Sequence, residues 1–401
     1  MQSAARAESV ESSASPTDGR RPQTESPASP TELPPTGVGA TRGTLGLFCM
    51  HLLCFGVPLT SLGFVLTGPH SNWTSLLWFL PVVVSVLIDN RASAARHQPT
   101  ATLPGWPFDA VLYMLVAWQF LCIVLLARMV SIGGFWTMDT LTALLLVGTN
   151  SGYSGIVVAH ELIHRPQRHN QLLGRLILMT VMYEHFYTEH LRGHHTRVGT
   201  PADPATARFG ETYAEFFRRT VPAQFRSAWR LETKRLGDEN MKLWDPRLLK
   251  SRVVHGLLGE FALAGAIGIV FGWAALGVFI LQAQAAIRLL EAVNYFEHWG
   301  LARKGRKVTP IDSWDSDSWF TLYTLVGLSR HADHHAHATR PFQQLRHFEQ
   351  SPKLPRGYFG MVIMVLLRNK RFVELMTEEL KQRKLGPFAE DASEPALSPA
   401  A

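Results

Sequence analysis

The chain reads as an all-α protein: a six-transmembrane-helix bundle with a cytoplasmic cap that holds a His-rich site. Three observations predict this. The 401 residues average a mean hydropathy of only +0.03, yet the apolar residues gather in blocks long enough to cross a bilayer core, which needs on the order of 20 residues of helix. Arg and Lys lie on alternate connections between those blocks. Nine of the 17 histidines fall in four short clusters at the polar ends of apolar segments.

The expected spans are residues 44–66, 73–88, 108–131, 139–159, 253–271 and 273–293, with the last two divided at Phe271-Gly272. Residues 1–43, rich in Ser, Pro, Thr, Ala and Glu, form an expected disordered tail, as do residues 386–401. The first apolar run starts too late and is too long for a signal peptide. The stretch of about 165–252 is too polar to span, although 171–182 within it suits a semi-buried helix, and 354–367 suits an interfacial one. The membrane domain therefore covers 44–385.

Charge orients the bundle. Arg42, Arg91, Arg96, Arg165, Arg168, Arg175, Arg303, Lys304, Arg306 and Lys307 flank one set of span ends, whereas the connections at 68–71, 132–137 and 272 hold neither Lys nor Arg. By the positive-inside rule both termini are cytoplasmic. The ends of the fourth and sixth spans then emerge beside the polar stretches that hold the other clusters. The net charge of +7 and pI near 9.4 are accounted for by these flanking residues and by anionic lipid, so no nucleic-acid partner is expected. A basic cytoplasmic face also suits an acidic redox partner.

The clusters are His160 and His164; His190, His194 and His195; His298; and His331, His334 and His335. Imidazole suits iron, zinc, copper and nickel, and nine nitrogens divide into four or five for each of two close metals, which points to an oxygen-activating di-iron site. On an α-helix, residues four apart share a face, so His160 pairs with His164 and His190 with His194, while His195 would face a second ion. Metal ligation needs neutral imidazole whose other nitrogen donates to a carboxylate or carbonyl. Glu161, Glu189, Glu297 and Asp333 are the expected acceptors. Among the remaining histidines, His51, His70 and His97 are isolated, His169, His255 and His347 lie in basic stretches, and His185 and His337 read as hydrogen-bonded bystanders.

His160-Glu161-Leu162-Ile163-His164 is also a literal HExxH, the signature of a zinc protease with Glu as general base. Such an enzyme needs one further ligand and leaves six or more clustered histidines unexplained. A metal transporter would place its ligands at membrane depth, not beyond the helix ends. Cys49, Cys54 and Cys122 lie in spans and form no CxxC, so each reads as a buried thiol and electrons come from a separate protein. Gly148, Gly152 and Gly155 form a small-residue face for close helix packing or, alternatively, a substrate groove.

At HELIHR, EHLRGHH, NYFEHWGL and RHADHHA the chain resembles the integral-membrane di-iron alkane 1-monooxygenase (alkane omega-hydroxylase) family, within the membrane fatty-acid desaturase and hydroxylase superfamily. The likeness runs from about 44 to 385 and includes VGTPADPATARFGETY and HATRPFQQLRHFEQSPKLPRGYFGM. It implies that the nine clustered histidines bind two Fe ions. It also implies hydroxylation of the terminal methyl of medium- or long-chain n-alkanes to 1-alkanols, using O2 and a rubredoxin- or ferredoxin-type electron donor with its reductase. The implied location is the bacterial inner membrane. Arg165, Trp299 and Ser329 depart from the family's usual Lys, Tyr and Gln, leaving open an alkyl-aromatic (xylene-type) methyl monooxygenase or a terminal-alkene-forming fatty-acid decarboxylase.

Overall fold

A computed structural model describes residues 44–99 and 104–389; the expected tail at 1–43, and residues 390–401 of the tail expected at 386–401, lie outside the described residues. All of them belong to one unit, Thr41–Ala401. The described elements are helical, and there is no strand among the described residues beyond isolated bridges at Ala94–Ser318 and Asp315–Lys353.

Six helices are long and apolar enough to cross a membrane: Leu45–Thr67, Asn72–Asp89, Trp106–Gly133, Met138–His164, Arg252–Phe271 and Trp273–His298. The protein is an integral membrane protein. The fourth and sixth run several residues past the ends expected from hydropathy, because the polarity change at His160 and Asn294 does not stop backbone hydrogen bonding. Thus the same continuous helices leave the apolar layer and carry ligand candidates. Gly272, at φ +88°, separates the last two spans in a conformation that a side chain would strain.

The spans pack closely where glycine permits it. A Cβ at Gly148 would stand 2.8 Å from Ala285 Cβ, and one at Gly152 would stand 2.9 Å from Leu289 Cβ. The small-residue face is therefore filled by the sixth span, not by a groove. One turn on, Gly155 meets the Gln119 carboxamide, which donates to Ser151 and Thr180 and accepts from Asn150. Ser151 in turn donates to Gln282, so these apolar-layer polar groups bind the third, fourth and sixth spans together. Cys54 and Cys122 are buried as expected, but Cys49 is exposed, because its position turns outward on the first span.

The polar stretch between the fourth and fifth spans folds as helix Arg168–Thr180, a short helical segment over 186–197, and helix Tyr213–Arg235. Thr212 and Glu215 close the start of the last by mutual capping, and its buried side carries Phe216, Thr220, Gln224 and Ala228. Beyond the sixth span come helices His331–Ala336, Tyr358–Leu367 and Asn369–Arg383. Residues 354–357 precede the expected interfacial helix instead of joining it. Ordered chain also continues past 385: Gly386–Phe388 forms a turn, and Phe388 meets the Phe209 ring edge-on at 5.6 Å.

Candidate metal centre

Helical geometry decides which imidazoles meet. The fourth span widens into a π turn at Ser151–Gly155 and then returns to α-helix through Ile156–His164, so His160 and His164 share a face. The segment His190–His194 is itself a π turn. Its i→i+5 pattern brings His190 and His195 together, Nε2 to Nε2 at 3.0 Å, and turns His194 away. The expectation that His190 and His194 would share an ion is corrected on this ground: it assumed an α-helical period where the backbone is π-helical. In His331–Ala336 the α period holds, with His331 and His335 meeting at 3.0 Å and His334 directed toward His195 at 3.2 Å.

Two groups result. His160, His164, His190, His195 and His334 offer ligand nitrogens all within 4.8 Å of one another, and His194, His298, His331 and His335 do the same. The groups abut, since the His195 and His335 rings are 4.5 Å apart. Ligands at right angles about 2.1 Å from an ion stand about 3.0 Å apart, so the Nε2 separations of 3.0–3.2 Å are those of polyhedron edges. His164 Nε2 and His194 Nε2 are buried without a hydrogen-bond partner among the described residues. This donor set fits metal ions. Burial, reinforced by neighbouring imidazoles, holds His190, His195, His331, His334 and His335 well below the ordinary imidazole range, in the neutral form that ligation requires.

The expected carboxylates occupy different positions. Glu161 accepts from Arg165 at 2.7 Å and from the Phe342 amide at 3.2 Å, which leaves it in a structural pair and unsuited to act as a protease base. Glu189 pairs with Arg197 at 2.7 Å. Its carboxylate fills the space where a Cβ at Gly193 would fall, which explains the glycine of EHLRGHH. Asp333 receives Arg340 at 2.5 and 2.6 Å, the Arg346 amide at 2.7 Å and His337 Nδ1 at 2.9 Å. For these three, an arginine in reach gives a buried carboxylate a stronger partner than a neutral ring would. Glu297 accepts from Tyr358 at 2.7 Å and comes within 3.4 Å of His331 Nε2, so it approaches the inward nitrogen and not Nδ1.

Sequence reasoning missed the carboxylate that does accept a hydrogen bond from a clustered imidazole. Asp203 Oδ2 lies 2.9 Å from His194 Nδ1 and also accepts from Thr206 at 2.6 Å. Burial would raise this carboxyl, but His194 and Thr206 outweigh it and bring it down to about 2. The available signal was an Asp in a Pro-flanked turn soon after three histidines. Also missed was the strap around Asp315, whose Oδ1 accepts the Ala332 amide at 2.8 Å at the start of the last ligand helix. Of the other histidines, His337 bonds to Asp333 and His185 packs on Tyr183, and neither joins a group.

Residues 134–362 match the family model described as fatty acid desaturase. The chain is 32% identical over 338 residues to an alkane 1-monooxygenase of Acinetobacter baylyi, covering 81% of each protein. It is 41% identical over 230 residues to alkane 1-monooxygenase 1 of Pseudomonas aeruginosa, covering 56% of this chain and 59% of that protein, which is less than two thirds of its length. A more distant relative is the xylene/toluene monooxygenase hydroxylase component of Pseudomonas putida, 24% identical over 51% of this chain and 55% of that protein. With its six spans and paired histidine groups, the chain belongs to the fatty acid desaturase family and, within it, to the alkane 1-monooxygenases.

Proposed function

We propose that this protein is a non-haem di-iron monooxygenase that converts the terminal methyl of medium- or long-chain n-alkanes to a primary alcohol. The observation that carries this reading is the meeting of five and four imidazoles, all buried except the half-buried His195, in two abutting groups beside the ends of the fourth and sixth spans. Relatives named alkane 1-monooxygenase support the choice of substrate. His160, His164, His190, His195 and His334 would hold one iron, and His194, His298, His331 and His335 the other. The electrons come from a rubredoxin- or ferredoxin-type protein with its reductase, and the centre and both termini face the cytoplasm of the bacterial inner membrane.

When bound, the irons supply O2 activation, in which one oxygen atom enters the C–H bond while the other, with two electrons and two protons, leaves as water. The chain's own residues prepare that chemistry. The rings present Nε2 inward, and Asp203 accepts a hydrogen bond from His194 Nδ1, fixing that ring's tautomer. Phe186, buried and stacked on His190 at 4.6 Å, belongs to the apolar packing that keeps bulk water from the site.

The test is turnover by the iron-loaded protein with 18O2, a reduced electron donor and a panel of n-alkane, alkylbenzene and fatty acid. The expected product is a 1-alkanol carrying one labelled oxygen. Preferred benzylic alcohol would assign the xylene-type activity instead, and terminal alkene with carbon dioxide the decarboxylase.

A further inference from the structure

The sixth span marks the depth of the apolar layer on the metal-centre side. Trp273 stands 84% exposed at one end, and the next outward-facing charge on this helix is the exposed Arg288. The interval is about 22 Å at 1.5 Å per residue. Because an arginine facing hydrocarbon is costly, Arg288 belongs at the headgroups, and Gln284 and Ile287 lie in the turn just before them. Helix Tyr213–Arg235 is fastened at this level: Tyr213 donates to the Arg288 carbonyl at 2.7 Å, and the Arg288 guanidinium lies 5.3 Å from the Phe217 ring centre.

Between that helix, the sixth span and residues 182–185 is a cavity of about 460 Å³, within the range of small-molecule pockets. Met182, Val221, Phe225 and Ile287 give it apolar walls, Gln284 a polar edge, and Arg226 an exposed guanidinium. Arg226 forms no ion pair with a carboxylate among the described residues. Burial pushes the His185 ring, which also lines the cavity, down to about 4, leaving Arg226 as its charged group near neutrality.

We propose that the cavity holds an anionic phospholipid of the adjoining leaflet, with Arg226 on the phosphate and an acyl chain against Val221, Phe225 and Ile287. An apolar trough ending in an unpaired cation at headgroup depth matches that amphiphile in both charge and position. The occupant would lie close to the metal centre, because Tyr183 on the cavity wall stacks on Phe186 and Phe186 stacks on His190 at 4.6 Å. The inference does not depend on the metals or on the reaction.

Native mass spectrometry of the full chain in detergent, titrated with dioleoyl phosphatidylglycerol or phosphatidylcholine, tests it. The wild type should retain one phosphatidylglycerol about fivefold more tightly than phosphatidylcholine, the effect of one basic residue at an anionic surface. Arg226→Ala should abolish that preference, and Val221→Trp, which fills the trough, should weaken both lipids. Equal binding of the two lipids by the wild type, or an unchanged preference in Arg226→Ala, would overturn the proposal. So would full competition by inorganic phosphate, which would make this a free-phosphate site, or displacement by n-hexadecane alone, which would make it a substrate mouth.

Discussion

His194 Nδ1 lies 2.9 Å from Asp203 Oδ2, joining a ring of the four-imidazole group to a buried carboxylate from the following loop. The contact leaves Nε2 of His194 to face the group. Asp203→Ala should weaken metal binding by about 10–100-fold, the usual effect of losing such a partner. Asp203→Asn, whose amide oxygen can still accept the Nδ1 proton, should lose less. Competitive titration of the metal-free protein with Co2+ in the presence of a chelator measures both.

A strap at Trp314–Ser316 holds two ligand-bearing elements in register. The Trp314 amide donates to the Glu297 carbonyl at 2.9 Å, Asp315 accepts from the Ala332 amide at 2.8 Å, and the Ser316 amide donates to the Ser329 carbonyl at 3.0 Å. Asp315→Ala leaves the Ala332 amide without its acceptor and should lower the metal bound by both groups, because the helix it anchors carries His331 and His335 of one and His334 of the other. Metal analysis should then give a content clearly below that of the wild type. Asp315→Asn should restore most of it.

Glu184 provides a pH signature in the fold. Burial pushes its carboxyl up to about 7, against the pull of the Arg175 guanidinium. A carboxyl raised in the native state binds its proton more tightly than the unfolded chain does. Its contribution to stability is thus complete below the ordinary value of 4.5 and is lost as pH rises through about 7. Between about pH 5 and pH 8 the melting temperature of the metal-free wild type in detergent should fall relative to that of Glu184→Gln, a comparison in which the opposite contribution of the buried histidines is common to both proteins.

Close approach of the fourth and sixth spans is testable at Gly152. A Cβ there would stand 3.0 Å from the Ala286 carbonyl oxygen as well as 2.9 Å from Leu289 Cβ. Gly152→Val should therefore cost about 1–3 kcal/mol through overpacking, read as a lowered thermal midpoint in detergent. A similar change at Gly265, where a Cβ meets nothing within 4 Å, should leave the midpoint nearly unchanged.

Hydropathy made the six spans legible because lipid solvation imposes long apolar runs, and the histidine spacing made the ligand candidates legible because imidazoles are scarce in such runs. The division of those histidines was hidden. It depends on the π turn at His190–His194, a backbone feature with no residue signature of its own. The hydrogen-bonding carboxylates were misjudged for a related reason: proximity in sequence favoured Glu161, Glu189 and Asp333, whereas Arg165, Arg197 and Arg340 claim them in space. Asp203 became visible only when its loop was folded back on His194. Helices Tyr213–Arg235 and Asn369–Arg383 escaped notice because their charged faces mask a narrow apolar stripe.

The most direct measurement is the iron content of the reconstituted full-length protein, set beside that of His335→Ala. Two irons per chain in the wild type, falling toward one when His335 is removed and the five-imidazole group is left intact, is the result these geometries predict. A single ion per chain at saturation, or zinc bound in preference to iron with the His335 variant unaffected, would contradict a dinuclear centre divided between the two groups.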